Sequence, residues 1–194
     1  MRNRGICLIV MSILLAGCAT AVGRGEVALR AGRYDEATSQ FQLALARDPG
    51  RVDALAGLGI AEYKRGEFAR ATAALRHVVA EAPNAPDVRL YLGLGYLSQD
   101  DLGHAREQLA ALRGLGPHPR LRSQLDRALE LLQPDLPIGV RAFISASLEH
   151  ELEWEQDVNA ARRAPRTRLE PTWLIEWDGH DWNVPRYPSP RGAP

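Results

Sequence analysis

The sequence predicts an all-α protein: an α-solenoid of about three helix-turn-helix repeats, then a capping helix, a further helix and a Trp- and Pro-rich tail. Small residues recur every 34 positions, as Gly25, Gly59 and Gly93 do. Apolar residues inside each unit fall at the three- and four-residue spacings of amphipathic helices. The same period separates Ala37, Ala71 and Ala105, and also Pro49, Pro83 and Pro117. Stacked helix pairs present extended binding surfaces, so this pattern favours binding over catalysis.

Each recurring residue has an expected packing role. Gly59 and Gly93 lie inside predicted first helices, where glycine costs about 1 kcal/mol relative to alanine. Their recurrence indicates a close approach of two backbones, and we expect the recurring alanines to be the opposing small residues. The prolines are expected to end each second helix. Larger side chains should fill the space between the helices, namely Tyr34, Phe68 and Leu102 near the turn and Phe41, Leu75 and Leu109 further along.

Residues 55–71 resemble a tetratricopeptide repeat. Family units carry Leu-Gly in the first helix, here Leu58-Gly59, then an aromatic residue, a glycine and an aromatic residue at the turn, and an alanine, all of which are present. The resemblance covers residues 18–119 and implies units at 18–51, 52–85 and 86–119. It departs at the two ends of the array, as terminal units often do. Arg24 replaces an apolar residue, and Asp100 replaces the glycine of the turn.

The N-terminus predicts export. A short basic start and the apolar stretch 6–15, which is too short to span a bilayer, are typical of a signal peptide. Leu15-Ala16-Gly17-Cys18 resembles the lipobox of bacterial lipoproteins. That resemblance implies cleavage after residues 1–17 and a lipid on Cys18. Because Ala19 rather than aspartate follows, it also implies the periplasmic face of the outer membrane. The alternative is an ordinary secretory signal with a cysteine near the cut by accident.

Two further helices are predicted after the repeats. Leucines at helical spacing in residues 120–133 predict a capping helix over the last unit. Residues 138–164 fit a helix, although residues 148–156 also alternate as a strand would. Their length, their Ala and Glu content and the stop at Pro165 favour the helix. The acids of this segment, residues 149–157, suit a solvated helix face better than an acidic docking face.

The tail, residues 165–194, holds Trp173, Trp177 and Trp182, three of the four tryptophans of the chain. Asp178-Gly179 could turn a small hairpin. The alternative is an extended segment whose tryptophans anchor it to another surface.

The family resemblance implies a binding groove on the concave face, lined by first-helix residues. These are Val22, Glu26, Leu29, Ala56, Ile60, Tyr63, Lys64, Leu90, Tyr91, Leu94 and Leu97. The face is apolar and lacks the Lys/Asn/Arg set with which some relatives hold a C-terminal carboxylate. An amphipathic helix or an aromatic-bearing extended segment would suit it better. Our leading hypothesis is that residues 138–164, the tail, or both cover part of this groove; the alternative is that ordinary packing between helices fills it.

No catalytic, metal or cofactor site is predicted. His150-Glu151 lacks the second histidine of a zinc-protease helix, because Trp154 occupies its place. Asp178, His180 and Asp181 are read as polar turn residues. The formal net charge of zero provides no basic field for nucleic acid, so no nucleic-acid partner is expected.

These observations predict a non-enzymatic envelope lipoprotein. It would hold the membrane through its N-terminal lipid and serve as a scaffold for an envelope protein or peptide. Lipoproteins of this family commonly assist the assembly of secretion, pilus or outer-membrane complexes. The alternatives are a soluble periplasmic adaptor and a non-catalytic accessory subunit of a cell-envelope enzyme.

Overall fold

The computed structural model describes residues 21–163, and all regular structure within that range is helical, which confirms the predicted fold class. Helix α1 covers residues 21–30. The later helices are α2 (Tyr34–Leu45), α3 (Val52–Lys64), α4 (Phe68–Glu81), α5 (Pro86–Ser98), α6 (Leu102–Gly114), α7 (Pro119–Leu131) and α8 (Ile138–Arg163). Cys18 and the tail tryptophans lie outside the described residues.

The prolines of the repeat punctuate the array as expected. Pro49, Pro83 and Pro117 each lie in the connector between a second helix and the next first helix. Proline has no backbone N–H to donate, and its ring clashes with the preceding helical turn, so the second helices end before these residues. The helix pairs α1–α2, α3–α4 and α5–α6 are therefore three successive units.

The turn inside each unit uses a left-handed residue. Gly32 and Gly66 have φ angles of 71° and 80°, and Asp100 occupies the equivalent position with φ of 64°. Glycine adopts this conformation freely, and aspartate tolerates it better than most residues do. The sequence departure at Asp100 thus keeps the same turn.

The recurring glycines of the first helices face large side chains of the second helices. A Cβ at Gly25 would lie 2.7 Å from Phe41, one at Gly59 would lie 2.6 Å from Leu75, and one at Gly93 would lie 2.9 Å from Leu109. The expected backbone approach is seen at Gly59, where an added Cβ would lie 3.3 Å from the carbonyl oxygen of Ala71. The repeat therefore pairs a missing side chain with a large one 16 residues later.

The core divides into two clusters. The N-terminal cluster is built mostly of alanines around one large side chain, Phe41, which is fully buried. A Cβ at Gly57 of α3 would approach Phe41 to 2.3 Å, so glycines on both α1 and α3 make room for this ring. The second cluster is leucine-rich and joins the second and third units to α7 and α8.

Within the described residues, α7 and α8 follow the three units on their C-terminal side. Residues 138–163 form a helix, so the strand alternative is excluded for them. Helix α8 has 26 residues, twice the 13 of α7. It packs against α5 and α7, and α7 packs against α6 and α8. Helix α8 thus contacts both the first helix of the third unit, α5, and the helix that follows the units, α7.

Candidate functional site

The first helices α1, α3 and α5 form the surface predicted to bind partners, which we call the first-helix face. Helix α8 packs against α5 and sends two carboxylates to Lys64 at the end of α3. A segment of the same chain therefore occupies part of this face. This agrees with the hypothesis that residues 138–164 cover the groove, and the proposed contribution of the tail lies outside the described residues.

The third-unit groove residues are not accessible. Leu90, Leu94 and Leu97 are fully buried and Tyr91 is 5% exposed, all in the core cluster that contains the apolar side of α8. That side consists of Ile144, Leu148 and Leu152. The accessible part of the predicted groove is thus smaller than expected. The apolar first-helix residues of the third unit pack with the helices that follow them.

The first and second units keep an accessible part of the face. Glu26 is exposed, and Leu29, Ala56 and Ile60 are half-buried. Of the remaining predicted residues, Val22 and Tyr63 are buried in the two core clusters, and Lys64 is half-buried. The surface left for a partner therefore lies on α1 and α3.

Lys64, the only lysine of the sequence, joins α3 to α8. Its Nζ donates to Glu149 Oε2 and to Glu153 Oε1, each at 2.8 Å. The side chains of Lys64 and Glu149 are 16% and 20% exposed, whereas that of Glu153 is 52% exposed. The ammonium also lies 5.5 Å from the ring centroid of Tyr91, a cation–π distance.

The surroundings of Lys64 shift three pKa values. Burial of Lys64 favours the neutral amine, but the hydrogen bonds to Glu149 and Glu153 outweigh burial and raise the pKa of Lys64. Burial, together with the nearby Glu149 carboxylate, raises the pKa of Tyr63 well above its usual range. Burial raises the pKa of Tyr91 to about 12, although Lys64 opposes the shift. At neutral pH the site therefore holds a charged lysine between two neutral phenols.

A second attachment fixes α8 to the start of α7. Glu151 is buried, and its Oε1 lies 3.3 Å from Nη2 of Arg120. The Arg120 guanidinium lies 4.5 Å from the ring centroid of Trp154, and the His118 ring lies 5.8 Å from it. Arg141, near the start of α8, pairs with Asp100 at the turn between α5 and α6.

The acids of α8 were expected to form a solvated face. The structure corrects this for Glu149, which is half-buried, and for Glu151, which is buried, whereas Glu153 is exposed. Glu149 and Glu153 bind Lys64, and Glu151 binds Arg120. Glu149 and Glu153 are four residues apart, which places both on one side of a helix. Sequence reasoning missed this pairing, and the available signal was a single lysine in a chain whose other permanently charged basic side chains are all arginines.

The described residues carry no sign of metal chemistry or of a membrane span. Within residues 21–163, no group of three or more His, Cys, Asp or Glu side chains could hold a metal ion. No helix in that range combines the length and apolar character needed to cross a bilayer. His150 is exposed, and Asp178, His180 and Asp181 lie outside the described part of the chain.

Residues 28–90 match the family model of the tetratricopeptide repeat, which confirms the repeat prediction for that segment. Protein CTR9 homolog from Arabidopsis thaliana is 31% identical over 123 residues, which cover 63% of this chain and 11% of that protein. The chain thus spans about a tenth of the length of this relative.

Solved structures of similar fold include two repeat domains with bound ligands. The first TPR of Spaghetti (RPAP3), bound to an HSP90 peptide, has a TM-score of 0.52 and 18% identity, covering 59% of this chain and 94% of that chain. The complex of the yeast Sti1 TPR2B domain with pHsp70 has a TM-score of 0.50 and 17% identity, covering 60% and 93%. A mutant O-GlcNAc transferase from Thermobaculum terrenum has a TM-score of 0.57 and 18% identity, covering 68% and 25%. At these identities the likeness shows the fold alone.

Proposed function

We propose that this chain, whose residues 28–90 carry the tetratricopeptide repeat, is a non-enzymatic scaffold that binds a segment of another protein on its first-helix face. The observation that carries the proposal is the division of that face. Helix α8 covers the part on α5 and is held there by Lys64, while Glu26, Leu29, Ala56 and Ile60 stay accessible on α1 and α3.

The chemistry of the accessible part favours an amphipathic helix as the partner. Leu29, Ala56 and Ile60 are half-buried apolar side chains on two neighbouring first helices, a floor suited to the apolar side of a helix. The RPAP3 structure holds the HSP90 peptide SRMEEVD, which is rich in acids. Here Lys64, the lysine of the first-helix face, already holds two carboxylates of α8. Glu26 and Glu153 would therefore repel a partner rich in carboxylates, and this face has no free lysine to offset the repulsion.

Site-specific photo-crosslinking tests the binding surface. A photoreactive amino acid at Glu26, exposed on the first-helix face, should yield a discrete crosslinked partner in cells. The same amino acid at His77, exposed on the second helix α4, is the matched control and should yield none. Equal crosslinking from both positions would show that the first-helix face is not the preferred surface.

We further propose that the scaffold is anchored through Cys18 to the periplasmic face of the outer membrane. The support is the sequence Leu15-Ala16-Gly17-Cys18 followed by Ala19. Each buried methylene of an acyl chain contributes about 0.8 kcal/mol, and two or more chains give stable anchoring. Helical structure begins by residue 21, so no more than about 10 Å of chain separates the lipid site from the array. The repeats would thus work close to the membrane surface.

Intact-mass measurement of the protein from its native membrane tests the anchor. Cleavage before Cys18 with added acyl mass, lost in Cys18→Ala, is the expected result. An unmodified N-terminus in the soluble fraction would instead favour a freely diffusing periplasmic adaptor.

Anchored in this way, the scaffold would serve the assembly of an envelope complex such as a secretion channel, a pilus or an outer-membrane protein. An accessory subunit of a cell-envelope enzyme is the other candidate. The accessory-subunit role would be favoured if a catalytic protein co-purified with the chain and a substitution of Glu26 abolished the co-purification.

A further inference from the structure

The last helix pair leaves an apolar notch on its exposed side. The notch lies between α7 and α8, has a volume of about 180 Å³, and includes Leu131, Phe143, Ile144 and Leu148 in its lining. Phe143 is 70% exposed and Leu131 is 47% exposed, although both are large apolar residues. Covering such side chains would stabilise the protein, since full burial of one is worth about 1.5–3 kcal/mol.

This notch is unusual for the end of a solenoid. Terminal helices of repeat arrays normally carry a polar outer surface, because no further unit covers them. Here Ile138, 80% exposed, adds a third large apolar residue to the α7–α8 pair. The α7–α8 pair therefore exposes apolar side chains where a polar surface is expected, which indicates that another segment covers them.

The size of the notch indicates an aromatic side chain. Small-molecule sites are usually about 300–1,000 Å³, larger than this notch. An apolar cavity of about 150 Å³ holds a benzene molecule. One aromatic ring is the ligand of matching size for the 180 Å³ of the notch.

The segment that follows α8 has the matching chemistry and sufficient reach. It carries Trp173, Trp177 and Trp182. Four acids accompany them, Glu170, Glu176, Asp178 and Asp181. The notch contributes a complementary cation, Arg127.

The distance along the chain permits docking. The helix from Arg163 back to Phe143 is about 30 Å long at 1.5 Å per residue. An extended chain covers about 3.3 Å per residue, so Trp173 reaches about 33 Å from Arg163 and Trp182 about 63 Å. We propose that residues 169–184 of the same chain dock on the α7–α8 notch, with one tryptophan against Phe143 and Leu131 and the acids near Arg127. This inference does not rest on the lipid anchor or on the partner of the first-helix face.

Tryptophan fluorescence of the full mature chain tests the docking. In a Trp154→Phe background the three tail tryptophans are the only ones left. Their emission should be blue-shifted, and their quenching by acrylamide at least twofold weaker, relative to a synthetic peptide of residues 169–184. Adding Phe143→Asp should move emission and quenching most of the way to the peptide values.

Leu43→Asp in the same background is the matched control. Leu43 is 41% exposed on α2, which packs against neither α7 nor α8 within the described residues. The Leu43→Asp substitution should leave the tryptophan fluorescence unchanged. Leu131→Asp, on the other wall of the notch, is a second test and should repeat the effect of Phe143→Asp. Circular dichroism of each variant verifies that the helices remain folded.

Two results would overturn the proposal. The first is tail emission equal to that of the peptide, or emission that neither notch variant changes in a folded protein. The second is a blue shift that disappears on dilution, which would assign the notch to a second copy of the chain.

Discussion

Lys64 Nζ and Glu149 Oε2 lie 2.8 Å apart, although 85 positions separate the two residues in the sequence. Through this contact the second repeat unit holds the last helix of the described chain. The pair is mostly buried, so water and salt screen the attraction between its two charges less than they would at the surface. Together with the apolar packing of α8 on α5, the contact keeps part of the first-helix face covered.

Removal of the Lys64 charge should weaken the attachment of α8. Lys64→Met keeps the apolar stem but takes the cation from Glu149, which is 20% exposed. We expect a loss of about 1–3 kcal/mol in the free energy of unfolding, because a desolvated carboxylate is left without its partner. Urea unfolding followed by circular dichroism measures the loss.

Glu149 and Glu153 should couple to Lys64 with different strengths. Double-mutant cycles with Glu149→Gln and Glu153→Gln should give about 1 kcal/mol for the Glu149 pair and below about 0.5 kcal/mol for the Glu153 pair. The difference follows from the 52% exposure of Glu153. Coupling energies near zero for both pairs would contradict the anchoring role of Lys64.

Alkaline pH should destabilise the fold through Tyr91. Its pKa is raised to about 12 by burial, whereas a tyrosine in an unfolded chain has a pKa of about 10. Between these values the unfolded state has lost a proton that the folded state keeps, so stability is full below about pH 10 and falls as pH rises toward about 12. The raised pKa values of Tyr63 and Lys64 act in the same direction.

The contribution of Tyr91 to the alkaline slope can be isolated. Free energies of unfolding from urea titrations between about pH 9 and about pH 11.5 should fall with pH, and Tyr91→Phe should reduce the slope by up to about 1.4 kcal/mol per pH unit. An unchanged slope in Tyr91→Phe would mean that this phenol titrates alike in both states.

Alanine should have opposite effects at Gly59 and at Gly114. A Cβ at Gly59 would lie 2.6 Å from Leu75 Cγ and 3.3 Å from the Ala71 carbonyl oxygen, and overpacking of this kind costs about 1–3 kcal/mol. Gly114, also in a helix, has nothing within 4 Å of an added Cβ. Gly114→Ala should therefore gain up to about 1 kcal/mol in helix propensity. Equal thermal midpoints for the two variants would show that Leu75 can move aside.

Asp100 should respond differently to glycine and to alanine. Its φ of 64° favours glycine, and its carboxylate pairs with Arg141 of α8. Asp100→Ala loses the ion pair and keeps a Cβ in the left-handed region, so we expect a loss of about 1–2 kcal/mol. Asp100→Gly loses the same pair but relieves the backbone, and its unfolding free energy should stay within about 0.5 kcal/mol of the parent. A larger loss for glycine than for alanine would refute this account of the turn.

The local parts of the fold could be predicted from sequence, and the contacts across it could not. Periodicity locates the helices because it reports on one helix at a time, and the prolines mark the connectors. At Gly59 the sequence predicted the approach of Ala71 but not that of Leu75, because a period of 34 aligns both residues equally well with it. The position of α8 depends on a contact between Lys64 and acids far along the chain, and no local pattern specifies such a pairing.

The bridge from Lys64 to α8 also constrains where a further unit can be inserted. In an open array, another helix pair can be inserted while only neighbouring contacts change. Here the last helix reaches back past the third unit to the second. One more unit of 34 residues between them would separate Lys64 from Glu149 and release α8. A unit inserted between α3 and α8 therefore breaks this contact, unless the inserted unit carries its own lysine at the position equivalent to Lys64.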